Sequence, residues 1–201
     1  MFPRIDRVYV NGRARADLGW NPRYNFAGVI DRLRAGDDPR SPLARDARLY
    51  AGHAWLMGAA WAFGNETAVH ALRLMGSGLF DEHPGLQIVL GHLGEGLPCN
   101  MWRVDHCNAG TEKLVRPAAK RKIADYFRAN FYVTTSGNFS SNALTATMAE
   151  IGADRVMFSV DWPYEQVELA ADWFDNTAIS ENDRVKIGRS NAVRLFKLGL
   201  R

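Results

Sequence analysis

Three short apolar runs mark the chain from residue 86 onward, and helical spacing fills the intervals between them. Leu86-Gln87-Ile88-Val89-Leu90, Phe131-Tyr132-Val133-Thr134-Thr135 and Arg155-Val156-Met157-Phe158-Ser159-Val160 are each bounded by glycine, proline or small polar residues, so they predict buried strands over 86–90, 131–135 and 155–160. Upstream, Glu66 to Phe80 sets Val69, Leu72, Leu74 and Met75 at helical spacing, with Gly78 and Pro84 as its stop. The pattern predicts further helices over Pro98–Asn108, Ala118–Arg128, Asn142–Ile151 and Gln166–Asn176. A last helix follows Ser180, whose Asp183 three positions on approximates a capping box. Residues 1–40 show no sustained period: Asn11-Gly12 signals a turn after Val8-Tyr9-Val10, Gly36-Asp37-Asp38-Pro39 is a second breaker cluster, and no fold is assigned.

Strands that alternate with helices imply parallel βα units joined by right-handed crossovers. Three such units fit the C-terminal half of a (β/α)8 TIM-type barrel, which in full takes about 250 residues. At 201 residues the chain is too short for all of it. Chemistry in such barrels sits at the C-terminal ends of the strands. Two of the runs end in ionisable groups: Gly91-His92-Leu93-Gly94-Glu95-Gly96 follows the first, and Asp161, then Trp162-Pro163, follows the third. One shared site is therefore predicted on one rim. Asp161 has a second reading as a turn or cap residue, and Glu95 as a carboxylate near a helix start; a metal or basic partner is favoured for Asp161, since an unpaired carboxylate after an apolar strand is costly.

Composition narrows the classes. Hydrophobic content of 47% is ordinary for a globular chain, no run approaches eighteen apolar residues, and Met1-Phe2-Pro3-Arg4 does not open a signal peptide. A soluble, cytoplasmic protein is expected, with no membrane partner. The net charge of +3 comes from residues 1–37, which hold seven Arg and four Asp. Arg4, Arg7, Arg13, Arg15, Arg23, Arg32 and Arg34 are scattered without lysine or interleaved aromatics, so a solvated segment is favoured and no nucleic-acid partner is expected. Cys99 and Cys107 match no zinc or redox spacing and read as free thiols. His70 reads as structural, His83 as a turn residue, and the pair His106 and Cys107 lacks a completing tetrahedral set. Trp55, Trp61 and Phe63 are candidates to wall an aromatic pocket, although a place in the core is the commoner case for tryptophan.

Several stretches together resemble one family. They are His53-Ala54-Trp55-Leu56, Glu66 to Met75, Gly78-Leu79-Phe80-Asp81-Glu82-His83-Pro84, Gly91 to Pro98, and Phe158-Ser159-Val160-Asp161-Trp162-Pro163-Tyr164-Glu165. The family is the amidohydrolase-superfamily group of metal-dependent, non-oxidative decarboxylases, and within it the hydroxybenzoate decarboxylases acting on 2,6- and 2,3-dihydroxybenzoate. The likeness runs from about residue 39 to the C-terminus, which implies a partial, distorted barrel domain over 39–201 behind an unassigned segment over 1–38. It implies a divalent metal (zinc, manganese or magnesium) with no organic cofactor, a small aromatic carboxylic acid as substrate, and a homo-oligomer. By position, Asp161 resembles the last metal ligand, His92 the catalytic histidine, Glu95 the carboxylate that orients it, and Arg103 the arginine that meets substrate in a neighbouring subunit's site. Without the resemblance Arg103 is an exposed helix residue.

The sequence also departs from the family. The acidic-x-His pair of the first strand is absent, since none of the five histidines precedes His53, and Asp38 stands where the family has a fifth-strand histidine ligand. A reading in which unrelated sequence replaces the first half of a longer gene is favoured over a compact natural variant, because a half-barrel exposes an unpaired strand edge. Weak metal binding and slow or absent turnover are expected, together with self-association. Hydrolysis at a metal-bound water, or binding of aromatic acids without turnover, are the alternatives.

Overall fold

The computed structural model describes residues 16, 26–36, 50–109 and 117–199. The Asn11-Gly12 turn, Asp38 and the arginines ahead of residue 26 lie outside the described residues. The chain divides into two units, residues 1–54 and 55–201. In the first, helix α1 (Phe26–Arg34) ends where Gly36 turns left-handed at φ 75°, so that breaker acts as expected. The helix itself was not legible, because nine residues interrupted by Gly28 offer barely two turns of period.

In the second unit, after short 3-10 turns, comes α2 (Ala62–Gly76), followed by the short α3 (Leu79–Glu82). These replace the single predicted helix over 66–80. Gly78 at φ 85° breaks the run, and the Ser77 hydroxyl closes the α2 end by donating to the Leu74 carbonyl at 2.8 Å. Met75 is buried, but Val69, expected on the inner face, is exposed. Next come β1 (Ile88–Leu90), α4 (Met101–Ala109), α5 (Ile123–Asn130), β2 (Phe131–Thr134), α6 (Ser141–Ile151), β3 (Val156–Met157) and α7 (Val167–Asn176). The chain closes with α8 (Glu181–Val185), a π-helical stretch Lys186–Ser190 and α9 (Asn191–Phe196). None of the helices among the described residues is long and apolar enough to cross a membrane.

The three strands form one parallel sheet in the order β1-β2-β3, with Ile88 opposite Phe131 and Val133 opposite Val156. Together with the flanking helices this is the expected partial (β/α) barrel. On α5 the buried Ile123, Tyr126, Phe127 and Asn130 repeat at helical spacing. Ile123, Tyr126 and Phe127 pack with Phe80, Phe131, Val133 and Leu144 in the core, where Phe80 meets Phe131 edge-on at 5.5 Å.

The third strand is far shorter than predicted. Past Met157 the ladder gives way to side-chain pairing: buried Thr135 donates its hydroxyl to the Ser159 carbonyl at 2.7 Å and accepts the Ser159 N–H at 2.9 Å. The Phe158 N–H turns the other way, to the Ile187 carbonyl in the π-helical stretch, at 2.8 Å. Ser180 caps α8 as expected, accepting the Asp183 N–H at 3.1 Å, but its hydroxyl also donates to the Asp183 carboxylate, so the reciprocal half of the box is rerouted.

Candidate active site

Where β1 ends, the backbone does something L-residues rarely do. His92, Leu93, Gly94 and Glu95 follow one another in the left-handed region, at φ 53°, 53°, 82° and 52°, a conformation that costs about 1–2 kcal/mol per non-glycine residue. Turn hydrogen bonds and a contact from a distant helix hold it there. Gly94 N–H donates to the Gly91 carbonyl at 2.8 Å and Leu97 N–H to the Gly94 carbonyl at 2.9 Å. The Leu93 side chain is buried, and its carbonyl accepts the Thr147 hydroxyl at 3.1 Å. The turn folds Glu95 back onto its neighbour: Oε1 lies 2.8 Å from His92 Nδ1.

The other ring nitrogen faces the second carboxylate. Asp161 Oδ2 is 3.4 Å from His92 Nε2. Asp161 sits beyond β3 at φ 83°, its carbonyl accepting the Tyr164 N–H at 2.9 Å. β2 reaches the same place, because Gly137 N–H donates to the Val160 carbonyl at 3.2 Å. At φ 61° Gly137 leaves space that a side chain would take: a Cβ there would stand 3.0 Å from Asp161 Oδ2 and 3.1 Å from His92 Cδ2. Asn138 adds a donor to the His92 carbonyl at 3.4 Å. Two ionisable groups 69 residues apart thus meet at the C-terminal rim of the sheet.

The electrostatics differ from one carboxylate to the other. Glu95 is mostly buried, its side chain 12% exposed, and that burial raises its pKa above the ordinary glutamate value; the His92 ring pulls it back, and Asp161 adds to the rise. Asp161 is 36% exposed, so it is less buried than an apolar strand predicts, and it lies beside the partly exposed His92. A neutral imidazole that donates Nδ1–H to Glu95 presents a lone pair at Nε2. The Nε2 to Oδ2 contact is then bonded only when one of its two atoms carries a proton.

Among the described residues no three His, Cys, Asp or Glu side chains gather as metal ligands. Asp161 and His92 supply two donors at one point, fewer than a tightly held divalent ion needs. The described part of the chain does not by itself fit such a metal.

The other residues singled out from sequence stand apart from this centre. Arg103 lies on the exposed side of α4. Trp55, Trp61 and Phe63 expose 71%, 56% and 62% of their surface, which removes the core alternative for them. His70 is on α2, exposed, and His83 ends α3 in a turn, as expected. His106 stacks on Trp102 with ring centroids 4.6 Å apart instead of joining Cys107, and both cysteines are free and exposed. Sequence reasoning passed over Thr135, Gly137 and Asn138. Gly137 and Asn138 belong to the small polar stretch that bounds the second strand, which the sequence reading takes only as its stop, and Thr135 stands inside the predicted strand 131–135.

Known proteins share this architecture. The family model for Amidohydrolase matches residues 27–198, reaching upstream of residue 39. A gamma-resorcylate decarboxylase of Polaromonas sp. is 64% identical over 160 residues, 80% of this chain and 49% of the relative. One from Rhizobium sp. is 54% identical over 198 residues, 94% of this chain and 61% of the relative. Among solved structures, a dihydroxybenzoic acid decarboxylase from Polaromonas sp. with bound manganese and the inhibitor 2-nitroresorcinol superposes with a TM-score of 0.75 at 62% identity, covering 82% of this chain and 50% of that one. A 2,6-dihydroxybenzoate decarboxylase complexed with 2,6-dihydroxybenzoate does so at 0.74 and 61%, covering 81% and 50%. The chain thus spans about half the length of the curated relatives it matches. On the family match, and on a parallel sheet that presents His92 and Asp161 at one rim, the chain belongs to the Amidohydrolase family.

Proposed function

We propose that this chain carries part of a site for metal-dependent, non-oxidative decarboxylation of a hydroxybenzoate, with 2,6-dihydroxybenzoate as the first substrate to try. The observation that carries the reading is the His92 ring held between two carboxylates, 2.8 Å from Glu95 and 3.4 Å from Asp161. The reaction needs a proton added to the ring carbon bearing the carboxylate. The bond to that carboxylate then breaks, its electron pair restores the aromatic ring, and carbon dioxide leaves. His92 Nε2 and Asp161 Oδ2 are the atoms that hold and pass the proton, and Glu95 fixes the ring that does so. Similarity to relatives named for this activity, at 54% to 64% identity, supports the substrate class.

In this reading Asp161 is also the metal ligand that the described residues offer. Arg103, on an exposed helix face, serves the site of a second copy in a homo-oligomer and meets the anionic substrate there. Carbon dioxide released from carboxyl-labelled 2,6-dihydroxybenzoate, with and without added manganese, tests the proposal. Release that disappears in both His92→Asn and Asp161→Asn is expected; release indifferent to both would sink it. The absence of a third ligand among the described residues favours a second reading, in which the chain binds the aromatic acid without turning it over. Saturable binding with no labelled gas, at any metal concentration, would select that one.

A further inference from the structure

Gly64 occupies the first turn of α2 in ordinary helical conformation. Alanine is the better residue there on helix propensity, so conformational freedom does not account for the glycine. What stands opposite does: a Cβ at position 64 would lie 2.8 Å from Glu95 Oε2 and 3.7 Å from its Cδ. That is closer than a carbon and an oxygen approach without bonding. The other oxygen of the same carboxylate contacts His92 Nδ1 at 2.8 Å, and the left-handed backbone at Glu95 fixes where its side chain starts. The carboxylate is therefore clamped between the imidazole on one side and the bare backbone of α2 on the other.

We infer that Gly64 is a positioning residue: its missing side chain lets the Glu95 carboxylate lie against His92, and so decides which imidazole nitrogen carries the proton. The inference rests on the reading of His92 as the proton-handling residue, but the contact is measurable without any turnover. Adding a methyl group at 64 displaces the tip of a flexible side chain, not backbone, so the fold is retained and the loss falls on the Glu95 to His92 contact. The motion that relieves the clash moves the carboxylate off the backbone of α2 and loosens its contact with His92.

The test compares Gly64→Ala and Gly64→Val with the wild-type chain, each alone and in a Glu95→Ala background, with thermal melting as the check on folding. Nitrogen-15 spectra of the His92 ring, assigned through its loss in His92→Asn, report the tautomer where the ring is neutral. The wild type is expected to show the Nδ1–H form, Gly64→Ala a shift toward Nε2–H, and Gly64→Val a larger one. In the Glu95→Ala background Gly64→Ala changes nothing further, because the two residues act as a unit. Carbon dioxide release, where the wild type shows it, falls about 10- to 100-fold in Gly64→Ala, as for loss of a supporting carboxylate. An unchanged tautomer in Gly64→Ala, or an equal effect with and without the Glu95 side chain, overturns the inference. A tautomer that shifts in a chain with no decarboxylase activity upholds it while rejecting the proposed reaction.

Discussion

The two ends of the three-stranded sheet are built on opposite principles. At the end where the strands begin, two buried asparagines pin the entering chain. Asn130 Nδ2 donates to the Pro84 and Leu86 carbonyls at 3.0 and 2.8 Å, ahead of β1. Asn191 Nδ2 donates to the Ala153 and Val156 carbonyls at 2.8 and 2.6 Å, where β3 starts. At the other end His92, Leu93, Glu95 and Asp161 all take left-handed backbone, and an imidazole is wedged between carboxylates. One end satisfies buried carbonyls with neutral donors, and the other holds strain and charge in place. The difference separates an end that holds the chain together from an end that presents titratable groups.

The sharpest way to break the comparison is His92→Asn. If the rim is chemical and not structural, turnover should fall by about 10²- to 10⁴-fold. The melting temperature should stay within a few degrees, since the ring is partly exposed and carries none of the core. A large drop in melting temperature with turnover per folded chain unchanged would reverse the assignment of the two ends.

A smaller loss, about 10- to 100-fold, is expected for Glu95→Gln, and it carries a pH signature. The Glu95 pKa is raised, chiefly by burial, so on acidification this group takes its proton before an exposed glutamate would. The acid limb of the rate profile should therefore begin above the ordinary carboxylate range. The stability sign is the reverse of an ion-paired aspartate: the contribution of a raised group is full below its unfolded pKa and is lost as pH rises through its folded pKa. Glu95→Gln lacks that loss, so its melting temperature should gain on the wild type as pH rises from the ordinary glutamate value through the raised one. Parallel melting curves would count against the buried carboxylate.

At the opposite end, Asn130→Ala and Asn191→Ala should each lower stability by about 1–3 kcal/mol, because buried carbonyls lose their donors. Turnover per folded chain should not change. The Asn130 Oδ1 has no partner, so its donors account for the whole expected loss. Denaturant unfolding, paired with activity normalised to the folded fraction, measures both. The smallest effect belongs to a site near neither end: Ser180→Ala, which removes the α8 cap, should cost about 1 kcal/mol and leave the pH profile of the rate unmoved.

Much of this contrast was readable from the residues, and some was not. The apolar runs located all three strands, since alternation of short apolar stretches with helical spacing is a local property. Their ends were not readable. Leu86 gives its carbonyl to Asn130, and Gln87 accepts from the Arg155 guanidinium at 2.7 Å, so β1 starts two residues late. Thr135 and Ile187 draw Ser159 and Phe158 out of the third strand. Each boundary was set by a partner more than twenty residues away. The exposure of Val69 and Trp61 was likewise invisible, because helical spacing marks a face without saying what covers it.

What the sequence determined by itself is the order of βα units and the delivery of His92 and Asp161 just beyond apolar runs, because strand and helix periods are written in neighbouring residues. What only the tertiary structure decided is that one imidazole lies between both carboxylates, and that Gly64 leaves room for the Glu95 carboxylate and Gly137 for Asp161 and the His92 ring. Those facts depend on left-handed turns and on a parallel register. Packing between distant segments enforces both, and no local pattern encodes them.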